Sequence, residues 1–134
     1  GATISVHATD HRPVTPTVGY RISHDGAVAA PAGDTVPCAG LDELTAGAGA
    51  YVQTVVRDDL IALVPRQRLN DIIDYHSTVV QAAETATRAG VSKLVLTHMV
   101  PEVPEGAEDE WRAIAAAHFD GEIVVGRDLT TVEV

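Results

Sequence analysis

An apolar run without charge, ended by a histidine and two prolines, is the feature that most constrains the fold of this chain. Residues 94–97 (LVLT) carry β-branched and aliphatic side chains only, and His98 follows them directly. Such a run is typical of a strand buried on both faces. Pro101 and Pro104 prevent a simple continuation of the strand. We therefore predict a buried strand over 92–97 that delivers His98 to the point where the backbone turns away.

The remaining pattern predicts a mixed α/β arrangement in which early hairpins precede strands that alternate with helices. The clearest helix covers 78–89, because Thr78 and Gln81 form a capping-box pattern and Gly90 suits its C-terminal end. The segment 58–74 reads as helical or irregular, with a break at Pro65. The other helices are predicted over 41–46 and 105–119, the other strands over 3–8, 18–23, 27–32, 51–56, 122–125 and 130–134, and a proline-containing loop over 10–17.

Length and charge limit the class of protein. The 134 residues suit one domain spanning 1–134, and 46 % apolar residues allow a sizeable core. The net charge of −10 does not provide the basic surface that a nucleic-acid binder usually needs. No stretch is apolar for long enough to predict a membrane span. The single cysteine, Cys38, permits no internal disulfide, so we expect a cytoplasmic location.

Four polar residues fall at or near predicted strand-to-loop junctions: His11, Asp34, His76 and His98. Imidazole nitrogens and a carboxylate are the usual ligands of a catalytic metal, and a carboxylate has two oxygens with which to bridge two cations. His76 stands just before a helix N-terminus, which favours an anion such as phosphate. Taken one at a time, each histidine is more often an ordinary hydrogen-bonded group, and an aspartate in a Gly-Asp-Thr turn more often bonds its own backbone.

Taken together, the motifs AGDTVPC, DYHSTVVQAAETATRAGV and LVLTHMVP resemble the C-terminal half of the metallo-β-lactamase fold. Within that superfamily they resemble the ribonuclease Z branch, in its actinobacterial form. The resemblance covers nearly the whole chain. It implies an α/β fold that forms the C-terminal half of an αββα sandwich, a mixed sheet with flanking helices, with two zinc ions per complete site.

The resemblance also assigns roles to individual residues. It implies that His11, Asp34 and His98 are metal ligands, with Asp34 as the bridging one. It implies that His76 is catalytic and contacts the scissile phosphate, with Ser77 and Thr78 beside it on the substrate side. The expected activity is metal-dependent phosphodiester hydrolysis, on RNA or on a smaller phosphodiester. No residue is expected to bind an organic cofactor.

The chain departs from the family pattern in three places. Residues 53–56 (QTVV) stand where the family has His-Glu-Ala-Thr, and residues 23–31 leave no room for a substrate-clamping arm. The signature His-x-His-x-Asp-His does not occur in the sequence. We therefore expect the missing N-terminal half, or a second copy in a homo-oligomer such as a dimer, to complete the site and to cover an apolar sheet face. The alternative is a catalytically silent module that keeps the fold for oligomerisation or partner binding.

Overall fold

The fold is a mixed sheet of six strands with helices packed on one of its faces. The computed structural model describes the backbone of residues 1–134 and every side chain except that of Leu69. The strands are β1 (Thr3–His11), β2 (Val14–His24), β3 (Ala27–Gly33), β4 (Ala50–Val56), β5 (Lys93–Val100) and β6 (Glu122–Val125). The helices are α1 (Ala39–Thr45), α2 (Asp58–Ile61), α3 (Gln67–Ile73), α4 (Val79–Ala89) and α5 (Glu108–Ala116). The mixed sheet with flanking helices predicted from the sequence is confirmed.

The strands lie side by side in chain order, and their directions bring the carboxyl ends of five strands to one edge. β1 pairs antiparallel with β2, and β2 antiparallel with β3, whereas β3 through β6 are parallel neighbours. Two reversals leave β1 running in the same direction as β3, β4, β5 and β6. The carboxyl ends of these five strands therefore share one edge of the sheet, where sites of α/β proteins form.

The core lies between the sheet and helices α1, α4 and α5. Tyr51, Leu94 and Leu96 face it from the central strands, and Trp111 enters it from α5; all four are almost completely buried. The described part of the chain contains no helix with the length and apolar composition that crossing a bilayer requires.

The segment 10–17 is not the loop that the sequence predicts. It forms the closed end of the β1–β2 hairpin, in which Thr9 pairs with Thr17 and His11 with Val14. Pro16 is tolerated within β2 because β2 pairs with β3 only near its other end, from Ile22 onward. A proline in this part of β2 therefore removes no donor from a β2–β3 ladder. Proline and threonine content predicts a loop over 10–17, but these residues form strand structure because β1 and β2 pair with each other there.

The predicted strand over 130–134 is also wrong. These residues pair with no strand in the described structure. Instead, Val132 and Val134 line a cavity with Ala50, Val52 and Val95 of the sheet, on the face away from the helices. Lys93 holds this tail by donating from Nζ to the Glu133 carbonyl at 2.8 Å. The alternating apolar residues of the tail thus serve packing across a sheet face rather than pairing along an edge.

The sheet face away from the helices stays apolar and largely open beyond this tail. On β1 and β2 the pairs Ile4–Ile22 and Val6–Tyr20 lie on that face, and Ile4 and Val6 are 60 % and 57 % exposed. Contiguous exposed apolar surface of this kind marks an interface. The expected open sheet face is therefore present in this chain.

The capping of α4 gives a direct test of the local structure. Thr78 Oγ1 accepts from the Gln81 amide at 3.1 Å, and Gln81 Oε1 accepts from the Thr78 amide at 3.0 Å. Thr78→Ala removes one half of this box, so we expect the free energy of unfolding to fall by about 1 kcal/mol. Urea denaturation of parent and variant measures it. Ser92→Ala, at an exposed position outside any strand, is the control and should change little; equal stability of parent and Thr78→Ala would contradict the cap.

Candidate metal centre

Three histidines converge on the carboxylate of Asp34. His11 Nε2 and His76 Nε2 lie 3.8 and 3.7 Å from Asp34 Oδ2, and His98 Nδ1 lies 3.9 Å from Asp34 Oδ1. The ring centroids of His11 and His76 are 4.9 Å apart, and the parallel rings of His76 and His98 are 6.4 Å apart. The four residues singled out in the sequence are therefore neighbours in space, although they are up to 87 positions apart in the chain (98 − 11).

The common sheet edge explains why three of these residues meet. His11 is the last residue of β1, Asp34 follows the last residue of β3, and His98 lies near the end of β5. Gly33 has a φ of 71°, a left-handed conformation that turns the chain sharply just before Asp34. His76 comes from the connection between α3 and α4 that passes over the same edge.

His98 itself has a left-handed backbone, with a φ of 43°. Thr97 pairs with Thr54 and Val100 with Val56, so two residues of β5, His98 and Met99, oppose one residue of β4. This is a β-bulge, which reorients a side chain at the end of a strand. Left-handed backbone is unfavourable for residues other than glycine and concentrates at functional sites. The bulge is thus the local device that presents the His98 ring at the edge.

Two of the imidazoles are oriented by backbone carbonyls. His11 Nδ1 lies 2.8 Å from the Tyr75 carbonyl, and His76 Nδ1 lies 2.9 Å from the Ile72 carbonyl. A carbonyl oxygen only accepts, so each Nδ1 carries the proton and donates it. Each Nε2 is then left with a lone pair toward Asp34, which is how metal-binding histidines are usually held.

The donor set fits a divalent transition metal. His11, Asp34 and His76 each offer a ligand atom, and these atoms all lie within 4.8 Å of one another. Nitrogen-to-oxygen distances near 3.7 Å are too long for good hydrogen bonds, but two atoms that bind one zinc ion at about 2.1 Å are at most about 4.2 Å apart. His98 faces Oδ1 whereas the other two rings face Oδ2. Each carboxylate oxygen thus has its own imidazole neighbours, as in a bridging ligand.

His76 belongs to this cluster more closely than the sequence indicates. The residue pattern placed it apart, as a group on the phosphate side. Its side chain is 9 % exposed, against 60 % for His98, and it lies as close to Asp34 as the two expected ligands do. The fold of the α3–α4 connection brings it there, and no local sequence pattern predicts that fold.

The neighbouring hydroxyls of Ser77 and Thr78 make intramolecular contacts. Ser77 is completely buried, and its Oγ donates to the Thr35 carbonyl at 2.7 Å. Thr78 caps α4. Contact of either hydroxyl with a substrate stays a prediction, whereas their contribution to holding the backbone is visible. Tyr75 is a site residue that sequence reasoning missed: its backbone carbonyl accepts a hydrogen bond from His11 Nδ1, and its ring packs edge-on against the His11 ring.

Gln53 takes a structural role at the position where the resembled family has a different motif. It is completely buried, and its Oε1 accepts from the Tyr51 hydroxyl at 2.6 Å. Its Nε2 donates to the Gly33 and Thr54 carbonyls at 3.0 and 2.9 Å. Burial raises the pKa of the Tyr51 hydroxyl, which keeps it protonated as the donor. Through Gly33, this network holds the turn that carries Asp34, and its only ionisable member stays neutral.

Solved structures place the fold. The crystal structure of the metallo-β-lactamase fold protein YhfI from Bacillus subtilis matches 94 % of this chain and 47 % of its own, with a TM-score of 0.73 and 21 % identity. That of human tRNase Z, short form, matches 98 % of this chain and 42 % of its own, with a TM-score of 0.67 and 20 % identity. No protein-family model matches the sequence. The chain has the metallo-β-lactamase fold.

Curated sequences narrow this class. The chain is 63 % identical over 131 residues to ribonuclease Z of Mycolicibacterium gilvum, covering 98 % of this chain and 46 % of that protein. It is 59 % identical over 134 residues to ribonuclease Z of Mycobacterium avium, covering all of this chain and 48 % of that protein. The chain spans about half the length of these relatives, and the matched part is their C-terminal half. The chain is therefore similar to the C-terminal half of ribonuclease Z sequences, as the sequence motifs indicate.

The left-handed backbone of His98 predicts an order of stability between two variants. His98→Gly and His98→Ala both remove the imidazole, but only glycine adopts a φ of 43° without strain from a Cβ. We expect the glycine variant to be more stable than the alanine variant by about 1 kcal/mol. Chemical denaturation of the two metal-free proteins measures the difference. Equal stability, or a more stable alanine variant, would show that the bulge is not left-handed in solution.

Proposed function

We propose that this chain forms one domain, the C-terminal part of a zinc-dependent phosphodiesterase of the ribonuclease Z type. The single observation that carries the proposal is the convergence of three imidazoles on the two oxygens of Asp34 at a sheet edge. His11, Asp34 and His98 are the proposed protein ligands, with Asp34 as the bridge. When bound, two zinc ions supply Lewis acidity to the phosphoryl oxygens and neutralise the charge that develops during hydrolysis.

His76 is the proposed catalytic residue of this half. Its Nδ1–H is occupied by the Ile72 carbonyl, so its Nε2 alone can exchange a proton with a substrate. In this role the Nε2 lone pair takes up a proton, donates it in a hydrogen bond to a phosphate oxygen and passes it to the leaving oxygen, which is general acid catalysis. The position just before α4, at the positive end of a helix of 11 residues, adds to its preference for an anionic group.

The proposed substrate is a phosphodiester, and the surroundings of His98 favour a substrate with a small leaving group. A cleft of about 450 Å³ adjoins His98 and is lined by Met99, Glu102, Arg127 and Asp128, among others. Its volume suits a nucleotide-sized group. Its two carboxylates and the net charge of −10 disfavour a long polyanion in contact with this half alone. RNA as the substrate therefore requires basic surface outside this chain.

Completion of the site is part of the proposal. His11, Asp34 and His98 supply about four bonds to metal if Asp34 bridges, whereas two catalytic zinc ions take about three protein ligands each. The proposed source of the others is the half that the curated relatives have beyond this chain, with a second copy in a homo-oligomer as the other arrangement. The cytoplasm is the proposed location.

One observation favours a second candidate, a catalytically silent module that binds a partner or oligomerises. The open apolar face of β1 and β2 is a surface of the kind that proteins cover by association. The two candidates differ in metal content. About two tightly bound zinc ions per complete site support the hydrolase, and none supports the silent module.

Hydrolysis of bis(p-nitrophenyl) phosphate tests the function. The measurement uses a protein that carries this chain together with the half found in its relatives, with zinc content determined on the same sample. We expect parent protein to hydrolyse the ester and His98→Ala to lose at least tenfold in kcat/KM and in bound zinc, because one ligand is lost.

His24→Ala is the matched control. His24 lies at the end of β2 with a side chain that is 61 % exposed, away from Asp34 in the described contacts. This variant should hydrolyse and bind zinc like the parent. Unchanged hydrolysis by His98→Ala would contradict the metal role of His98, and a parent protein with neither zinc nor activity would favour the silent module.

A further inference from the structure

Each of the four site residues lies within two positions of a hydrogen bond that joins its segment to another. Asp10 precedes His11, Thr35 follows Asp34, Ser77 follows His76, and Val100 stands two positions after His98. The contacts among these neighbours form a continuous path across the sheet edge. The path uses none of the imidazole atoms.

Thr35 is at the centre of this path. Its Oγ1 accepts from the Asp10 amide at 2.9 Å and donates to the Val36 carbonyl at 2.8 Å. The Val36 amide in turn donates to the Asp10 carbonyl at 2.9 Å, which closes an isolated bridge between β1 and the segment after β3. Two hydrogen bonds thus join the residue before His11 to the residues after Asp34, and the third orients the Thr35 hydroxyl within its own segment.

Ser77 extends the path to His76 and onward to β4 and β5. Its Oγ donates to the Thr35 carbonyl at 2.7 Å, and its own carbonyl accepts from the Val56 amide at 3.0 Å. The next residue of the chain, Arg57, donates its amide to the Val100 carbonyl at 2.8 Å. Thr35 and Ser77 are both completely buried, so no water replaces a hydroxyl that is removed.

We propose that Thr35 and Ser77 are positioning residues of the metal centre, which set the distances between His11, Asp34 and His76 through a buried hydroxyl network. The proposal rests on the metal site of the proposed function. It gives the third residue of the Gly-Asp-Thr turn and the serine after His76 a defined task. The Thr35 hydroxyl contacts its own turn at the Val36 carbonyl, but it also accepts from the Asp10 amide, 25 positions back. The Thr35 backbone carbonyl accepts from the Ser77 hydroxyl, 42 positions forward.

Thr35→Val is the principal test, because valine keeps the shape of threonine and removes the hydroxyl. We expect the affinity for Zn²⁺, measured by calorimetric titration with the metal alone, to fall about 10-fold to 100-fold, the usual effect of removing a group that orients metal ligands. Thr35→Ser restores the hydroxyl and should recover most of the affinity. Ser77→Ala removes only one hydrogen bond and should lower the affinity in the same direction, which keeps the test decisive if Thr35→Val folds poorly.

Thr45→Val is the matched control. Thr45 is another completely buried threonine, but its Oγ1 donates to the Leu41 carbonyl one turn earlier in its own helix at 2.8 Å. Thr45→Val also replaces a buried hydroxyl by a methyl group, but it removes no hydrogen bond of the path between the site residues. Its affinity for Zn²⁺ should therefore equal that of the parent. An equal loss in Thr45→Val and Thr35→Val would reduce the role of Thr35 to general stability and overturn the proposal.

A metal-free readout covers the case in which the chain alone binds zinc too weakly to measure. Nuclear Overhauser effects between the ring protons of His11 and His76, whose centroids are 4.9 Å apart, report the convergence directly. These effects should be present in the parent and in Thr45→Val and lost in Thr35→Val. Their persistence in Thr35→Val, together with unchanged zinc affinity where binding is measurable, would overturn the proposal. Zinc binding without phosphodiester hydrolysis would contradict the proposed function and leave the positioning role intact.

Discussion

The direction of strand β1 is the constraint on which the site depends. His11 reaches Asp34 because two antiparallel turns leave β1 parallel to β3, with its carboxyl end at the same edge. A nine-residue strand is about 30 Å long, so the opposite direction would place His11 across the whole sheet from Asp34. The β1–β2 hairpin, which contributes no ligand beyond His11, is therefore as necessary to the cluster as the parallel strands are.

Convergence alone does not make imidazoles into ligands, because the rings must also hold their lone pairs inward. The carbonyls of Tyr75 and Ile72 fix the proton of His11 and of His76 on Nδ1. The Ile72 carbonyl lies in the last turn of α3 and the Tyr75 carbonyl in the α3–α4 connection, so the end of one helix and the segment after it orient two rings and supply one of them. The His98 ring is oriented instead by the β-bulge in β5 and its left-handed backbone. Irregular structure is concentrated where the regular strands end, and there it sets ring orientation.

Local signals predicted the parts of the fold that local interactions determine. The helix α4 was predicted with its cap residues because Thr78, Gln81 and Gly90 act within one helix. The hairpin end over 10–17 and the tail over 130–134 were predicted wrongly, because their structure depends on partners elsewhere in the chain. The four site residues were found from motifs, but the closeness of His76 to Asp34 was not. The segment that carries His76 is joined to the segment after Asp34 by the Ser77–Thr35 hydrogen bond, which links positions 42 apart.

The incomplete ligand set and the open sheet face have one common explanation. Parallel strands are normally covered on both faces, yet in the described structure the second face of β4 and β5 adjoins a cavity bordered by residues 126–134. The relatives are about twice as long as this chain. A second layer laid over that face also reaches the edge where the strands end, beside His98, the most exposed member of the cluster. One layer packed on the apolar sheet face can also bring the remaining metal ligands to the edge. Two separate partners, one to cover the sheet face and one to complete the proposed metal site, are therefore unnecessary.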